Sequence, residues 1–120
     1  MGQNLFYIAL GGSLGSICRF LIAYLFRRID FSFPLGTLIA NLLGCLLIGV
    51  FYTMIKESHF LSQEIRYIGI IGFCGSFTTF SSFVYENLVM IEKGQLWTFA
   101  AYALVSFILG LGSIVIGVKA

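Results

Sequence analysis

Apolar residues fill the chain in four long blocks, and most charged positions collect at their edges. The blocks run from about Asn4 to Phe26, Phe33 to Met54, Arg66 to Met90 and Leu96 to Val118. Each is near the roughly 20 residues that a helix needs to cross a bilayer, so the pattern predicts four membrane-spanning helices with short connections. Residues 1–120 then form one four-helix transmembrane domain, with almost no chain left for a soluble one. The first block has no separate charged region before it and no small-residue cleavage signature after it, so it reads as a retained helix.

One block is irregular. Gly72 to Phe83 reads GFCGSFTTFSSF, and it sets Gly72, Gly75 and the β-branched pair Thr78 and Thr79 in mid-span, where each weakens a continuous helix. A break there frees backbone carbonyls and amides, which a bilayer tolerates only where neighbours or ions satisfy them. Carbonyl oxygens of an unwound turn are good ligands for a hard cation such as Na⁺. Beyond the break, Phe80 and Phe83 are three apart, about 60° on a helix, and can face one way. Aromatic rings have positive edges, so two rings presented edge-on can contact an anion without a formal charge. Among 13 phenylalanines, the bland alternative for any two is lipid or core packing.

Composition agrees with the pattern: 59% of the 120 residues are hydrophobic and 10% are charged, with mean hydropathy +1.01. Soluble domains carry about 25% charged residues. Apart from Arg19 inside the first block, the basic residues are evenly divided between the two sides: Lys56, Arg66 and Lys119 fall on one, Arg27, Arg28 and Lys93 on the other. A Lys/Arg excess normally fixes orientation. Its absence points to insertion both ways and assembly as an antiparallel pair, unless the bias is merely weak.

Small residues mark where helices meet in lipid. Gly11 and Gly15, then Gly36, Ala40 and Gly44, then Ser106 with Gly110 and Ser113 with Gly117 recur at four-residue spacing and read as packing ridges. Four helices this short bury little alone, so an oligomer is expected.

Polar residues at membrane depth are Arg19, Thr37, Asn41, Thr78, Thr79, Ser81, Ser82, Glu86, Tyr102 and Ser106. Hydroxyls can bond back to their own helix. Asn41 has two donors and an acceptor to satisfy, so it either glues two helices or meets a ligand. Arg19 has no acidic residue in its block; it attracts anions in a vestibule, snorkels, or caps helix carbonyls. Cys18, Cys45 and Cys74 lie one per block without metal-ligand spacing and read as buried thiols. His59, between Glu57 and Glu64, reads as a solvated surface residue. No nucleophile with a base, metal cluster or phosphate loop appears, so no enzyme is expected, and no nucleic-acid partner either.

Three ordered motifs resemble the CrcB/Fluc fluoride channels over nearly the full length: GGSLGSICRF at Gly11 to Phe20, FPLGTLIANLLGCLLIG at Phe33 to Gly49, and GFCGSFTTFSSF. The resemblance implies an all-α membrane protein with helix 3 broken near its middle, forming an antiparallel, dual-topology homodimer with two pores. It implies that Phe80 and Phe83 contact F⁻ edge-on, that the Asn41 amide donates to the ion, and that Thr79, Ser81, Ser82 and Tyr102 line the pore as hydroxyls. Arg19 then sits at a vestibule, and the Gly75 and Thr78 carbonyls of both subunits hold a structural Na⁺. The implied task is passive export of F⁻ that entered a microbial cell as neutral HF, across a prokaryotic plasma membrane. Ser82 stands where the family usually has Thr, Ser76 where Gly is common, and Ser16 where Ala is usual. A small multidrug proton-coupled antiporter shares the size and dual topology, but its family places an essential Glu in the first helix, and blocks one and two here have no acidic residue inside the membrane. A scaffold subunit without transport would need Asn41 and TTFSS to be helix glue alone.

Overall fold

The computed structural model describes residues 1–27, 34–57 and 62–119; Arg28, Phe33 and His59, named above, lie outside the described residues. Three spans are single helices: α1 (Gly2–Phe26), α2 (Leu35–Glu57) and α6 (Leu96–Lys119). The third span, Ser62–Glu92, is composite. It begins with α3 (Ser62–Glu64), widens into a π-type segment, π1 (Ile65–Cys74), and continues through α4 (Gly75–Phe77) and α5 (Phe80–Glu92). Among the described residues, these four stretches are long and apolar enough to cross a membrane.

Helices overrun the apolar blocks at their ends. α2 continues past Met54 through Lys56 to Glu57. Lys56 sits in the last turn, where a cation complements the exposed carbonyls of the helix end. Pro34 precedes α2 and its carbonyl accepts the amide of Leu38 at 3.1 Å. α5 closes with a left-handed glycine: Gly94 has φ 75°, its amide donates to Ile91, and the Gln95 amide donates to Met90 at 2.9 Å. This is a Schellman cap, and it sends α6 back along α5.

Lipid gives helices no hydrophobic reason to associate, so contact depends on backbone approach. Two glycine seams supply it. On α1, a Cβ at Gly11 would run into the carbonyl of Ile68; across the seam, a Cβ at Gly72 would meet Ile8 O at 2.9 Å and Gly11 Cα at 3.0 Å. α2 and α6 meet in the same manner, with Gly49 against Ile114 and Gly117, and Gly117 against Leu46 and Gly49. The ridge residues Gly11, Gly15, Ala40, Gly44, Gly110 and Gly117 are buried, as are Gly49 and Gly72, which the four-residue spacing did not single out. Gly49→Ala is therefore expected to destabilise the chain by about 1–3 kcal/mol, the range for an overpacked site. Thermal unfolding in detergent measures it, and an unchanged midpoint would remove this seam from the account.

π1 is the element with no forerunner in the apolar pattern. Its wider winding places Gly69 against the Phe51 ring and Gly72 against α1, and the Gly75 amide reaches back to Ile70 and Gly72 at its end. All three cysteines are free thiols, with Cys74 buried and Cys18 and Cys45 half-buried.

Candidate functional site

Between α4 and α5 the backbone is extended for two residues, Thr78 (φ −84°, ψ 142°) and Thr79 (φ −137°, ψ 124°). Gly75, expected from the sequence to share the irregular turn, is helical (φ −63°, ψ −33°). The β-branched pair leaves the helix instead, and its side chains supply caps. The Thr78 hydroxyl donates to Cys74 O at 2.5 Å, beside its own amide at 2.9 Å. Thr79 is the N-cap of α5, its Oγ1 accepting the Ser82 amide at 3.2 Å.

Asn41 reaches across from α2 and serves both backbone groups of one residue. Its Oδ1 accepts the Thr79 amide at 2.8 Å, and its Nδ2 donates to the Thr79 carbonyl at 3.2 Å. Such a carboxamide does for an isolated extended residue what a neighbouring strand does in a sheet. One Nδ2 hydrogen remains beyond this pair. From α1, Arg19 Nε donates to the Ser76 carbonyl at 3.0 Å, so the guanidinium caps the end of α4.

Following each amide shows which carbonyls the interruption releases. In an unbroken α-helix the Thr79 amide would serve Gly75, and the Ser82 amide would serve Thr78. Here the first goes to Asn41 and the second to the Thr79 side chain. Four carbonyls, those of residues 75 to 78, thus leave the ladder together; Arg19 takes that of Ser76, the Gly75 and Thr78 carbonyls are among the rest, and Gly75 lies on the exposed outside of the chain. Two neutral, hard oxygens are the donor type that suits Na⁺.

On the other side of the interruption, Phe80 stands 78% exposed while Phe83 is half-buried among Leu38, Met90 and Tyr102. Their ring centroids are 6.3 Å apart at 38°, and Phe83 lies 5.1 Å from the Tyr102 ring at 44°. The Ser81 hydroxyl is 3.3 Å from Thr79 Oγ1. Tyr102 is fully buried and its hydroxyl donates to Glu86 Oε1 at 3.0 Å; Thr37 donates to Oε2 at 2.6 Å. Glu86 is therefore tied to α2 and α6 at once. The expected residues form two contiguous groups: Asn41, Thr79, Ser81 and Ser82 at the extended pair, and Phe80, Phe83, Tyr102 and Glu86 along α5 and α6. Arg19 meets the interruption from α1, at Ser76.

Residues 6–118 match the family model described as CrcB-like protein, Camphor Resistance (CrcB). The chain belongs to the CrcB family. It is 38% identical over 98% of its length to a protein of Azobacteroides pseudotrichonymphae, covering 94% of that relative. It is 40% identical over 97% of its length to one of Phocaeicola vulgatus, covering 96%, and 43% identical over 95% to one of Salinibacter ruber, covering 86%. All three relatives are named fluoride-specific ion channel FluC. This CrcB-family chain is a multi-pass membrane protein of a channel family and not an enzyme.

Two residues of the CrcB-family chain escaped the sequence pattern. Asn87 is 7% exposed; its Nδ2 donates to the Phe83 carbonyl at 2.9 Å, and its Oδ1 is buried without a partner among the described residues. The rule that singles out Asn41, a carboxamide inside a span, applies to it equally. Ser76 donates its hydroxyl to Gly12 O at 2.9 Å on α1, with Gly72 O at 3.0 Å as a second acceptor. No sequence signal marks that bond, because it depends on how close the glycine seam brings α1.

Proposed function

We propose that this chain is a fluoride-selective channel through which F⁻ leaves the cell passively. The observation that carries the reading is the near-complete match to relatives named fluoride-specific ion channels, and the site's chemistry is consistent with it. F⁻ is strongly hydrated, so a pore must offer donors in place of water and be too narrow for chloride. Neutral donors and ring edges bind without a fixed full charge, which leaves the ion able to move on.

In this reading two copies pair antiparallel and form two pores, in accord with the even division of basic residues. The second Nδ2 hydrogen of Asn41 donates to F⁻, Phe80 and Phe83 present ring edges, and the hydroxyls of Thr79, Ser81, Ser82 and Tyr102 continue the path. Arg19 raises the local anion concentration at the vestibule while it caps α4. The broken third helix serves both purposes: its released Gly75 and Thr78 carbonyls, repeated in the partner, hold a structural Na⁺ at the dimer centre. That ion supplies fixed positive charge between the two copies.

The test is F⁻ efflux from liposomes containing the purified protein, against chloride efflux from the same preparation. Rapid F⁻ release with chloride retained is expected. Release no faster than from protein-free liposomes would end the channel reading.

A further inference from the structure

We infer that Arg19 and Ser76 are positioning residues for the cation site, which tie its Na⁺ affinity to the seat of α1. This rests on the reading that the Gly75 and Thr78 carbonyls hold Na⁺. Ser76 lies between those two residues and is fixed through both its polar groups. Its carbonyl accepts Arg19 Nε at 3.0 Å, and its hydroxyl donates to Gly12 O at 2.9 Å. Both partners belong to α1. The α1 seat is itself narrow, since a Cβ at Gly15 would collide with Ser76 Oγ and the Phe73 carbonyl. Glycine at 15 leaves the space that the Ser76 hydroxyl uses.

The other side of the interruption is held independently. Asn41 of α2 fixes Thr79 through two bonds, and a Cβ at Gly44 would overlap the Thr78 methyl, so α2 also offers Thr78 a fitted notch. Residues 76 and 79 are thus pinned, one to α1 and one to α2, while the carbonyls of 75 and 78 are released. The spacing of the two released oxygens follows from the two pins. Loosening the α1 pin lets Gly75 drift relative to Thr78, and an ion held by a few neutral oxygens loses affinity when their spacing is no longer set.

Charge makes the inference sharp, because a guanidinium near a cation site opposes cation binding by Coulomb repulsion. A purely electrostatic Arg19 therefore predicts that removing its charge strengthens Na⁺ binding; a positioning Arg19 predicts the reverse. The experiment is thermal unfolding of the purified protein titrated with Na⁺ against N-methylglucamine. For Arg19→Met, the Na⁺ concentration giving half of the full stabilisation is expected to rise about tenfold, the weight of one charge-assisted hydrogen bond. Ser76→Ala, which leaves every charge in place, is expected to raise it about threefold, as one neutral bond would. Arg19→Lys, retaining the charge and a donor head but not the planar guanidinium, should fall between wild type and Arg19→Met. An unchanged or lowered half-saturating Na⁺ in Arg19→Met overturns the inference. If Arg19→Met does not assemble, Ser76→Ala decides alone, and an unchanged titration overturns it equally. A wild-type protein indifferent to Na⁺ would instead sink the cation reading beneath it, which separates the two failures.

Discussion

Asn41→Asp is expected to leave an assembled protein that passes no measurable fluoride, and Asn41→Leu to lose much of the fold as well. The difference follows from the two bonds to Thr79. Aspartate keeps an oxygen to accept the Thr79 amide, which Asn41 Oδ1 now takes at 2.8 Å. It loses both donors, the one serving the Thr79 carbonyl at 3.2 Å and the one left for an anion. It also adds a negative charge on the proposed path. A carboxylate about 4 Å from a passing anion, at an effective dielectric of about 20, repels it by about 4 kcal/mol, roughly a thousandfold in rate. Leucine removes the acceptor too and leaves both backbone groups of Thr79 unpaired at membrane depth, at a cost of several kcal/mol. Size-exclusion profiles and liposome efflux measured on both variants separate the effects. Asn41→Asp flux within a few-fold of wild type would remove Asn41 from the pore.

How much of this was legible in the sequence depends on the range of the interaction. The four spans were, because hydropathy over some twenty residues averages out local detail. GFCGSFTTFSSF stood out because glycines and β-branched residues are weak helix formers wherever they occur. The residues that leave the helix are nevertheless Thr78 and Thr79, and Gly75 stays helical. Helix propensity alone puts glycine first; the outcome is set by Asn41, 38 positions away, which bonds both backbone groups of Thr79. Arg19 is a similar case: its three sequence-level roles differ only in partner, and the partner, Ser76 O, lies 57 positions along the chain. The widening of π1 follows from the seam with α1 and had no local signal. Asn87 differs again: its amide serves the Phe83 carbonyl one turn back on its own helix, a local bond that no spacing in the sequence distinguishes from a solvated carboxamide.

Exchanging both rings of the proposed pore wall, Phe80→Ile with Phe83→Ile, is expected to lower fluoride flux by a few hundredfold while chloride stays excluded. Isoleucine retains apolar bulk but has no quadrupole, so it removes the positive ring edge and little else. A cation over a ring face is worth about 0.5–2 kcal/mol; with a similar weight for an anion at the ring edge, each exchange alone is expected to slow flux by up to roughly thirtyfold. The two single variants are not equivalent. Phe80 is 78% exposed, and its replacement should leave the melting temperature of an isolated chain almost unchanged. The Phe83 ring lies 5.1 Å from that of Tyr102, tilted by 44°, and losing that pair costs about 0.5–1.5 kcal/mol of stability. It also loosens the ring whose hydroxyl holds Glu86 at 3.0 Å, so a loss of flux in Phe83→Ile alone has two possible origins. Phe80→Ile is therefore the cleaner probe: slowed efflux from a protein of unaltered stability assigns the effect to the ring edge. Wild-type flux in Phe80→Ile would leave Phe80 as a packing surface for lipid or the second copy, and Phe83 as the one ring in the path.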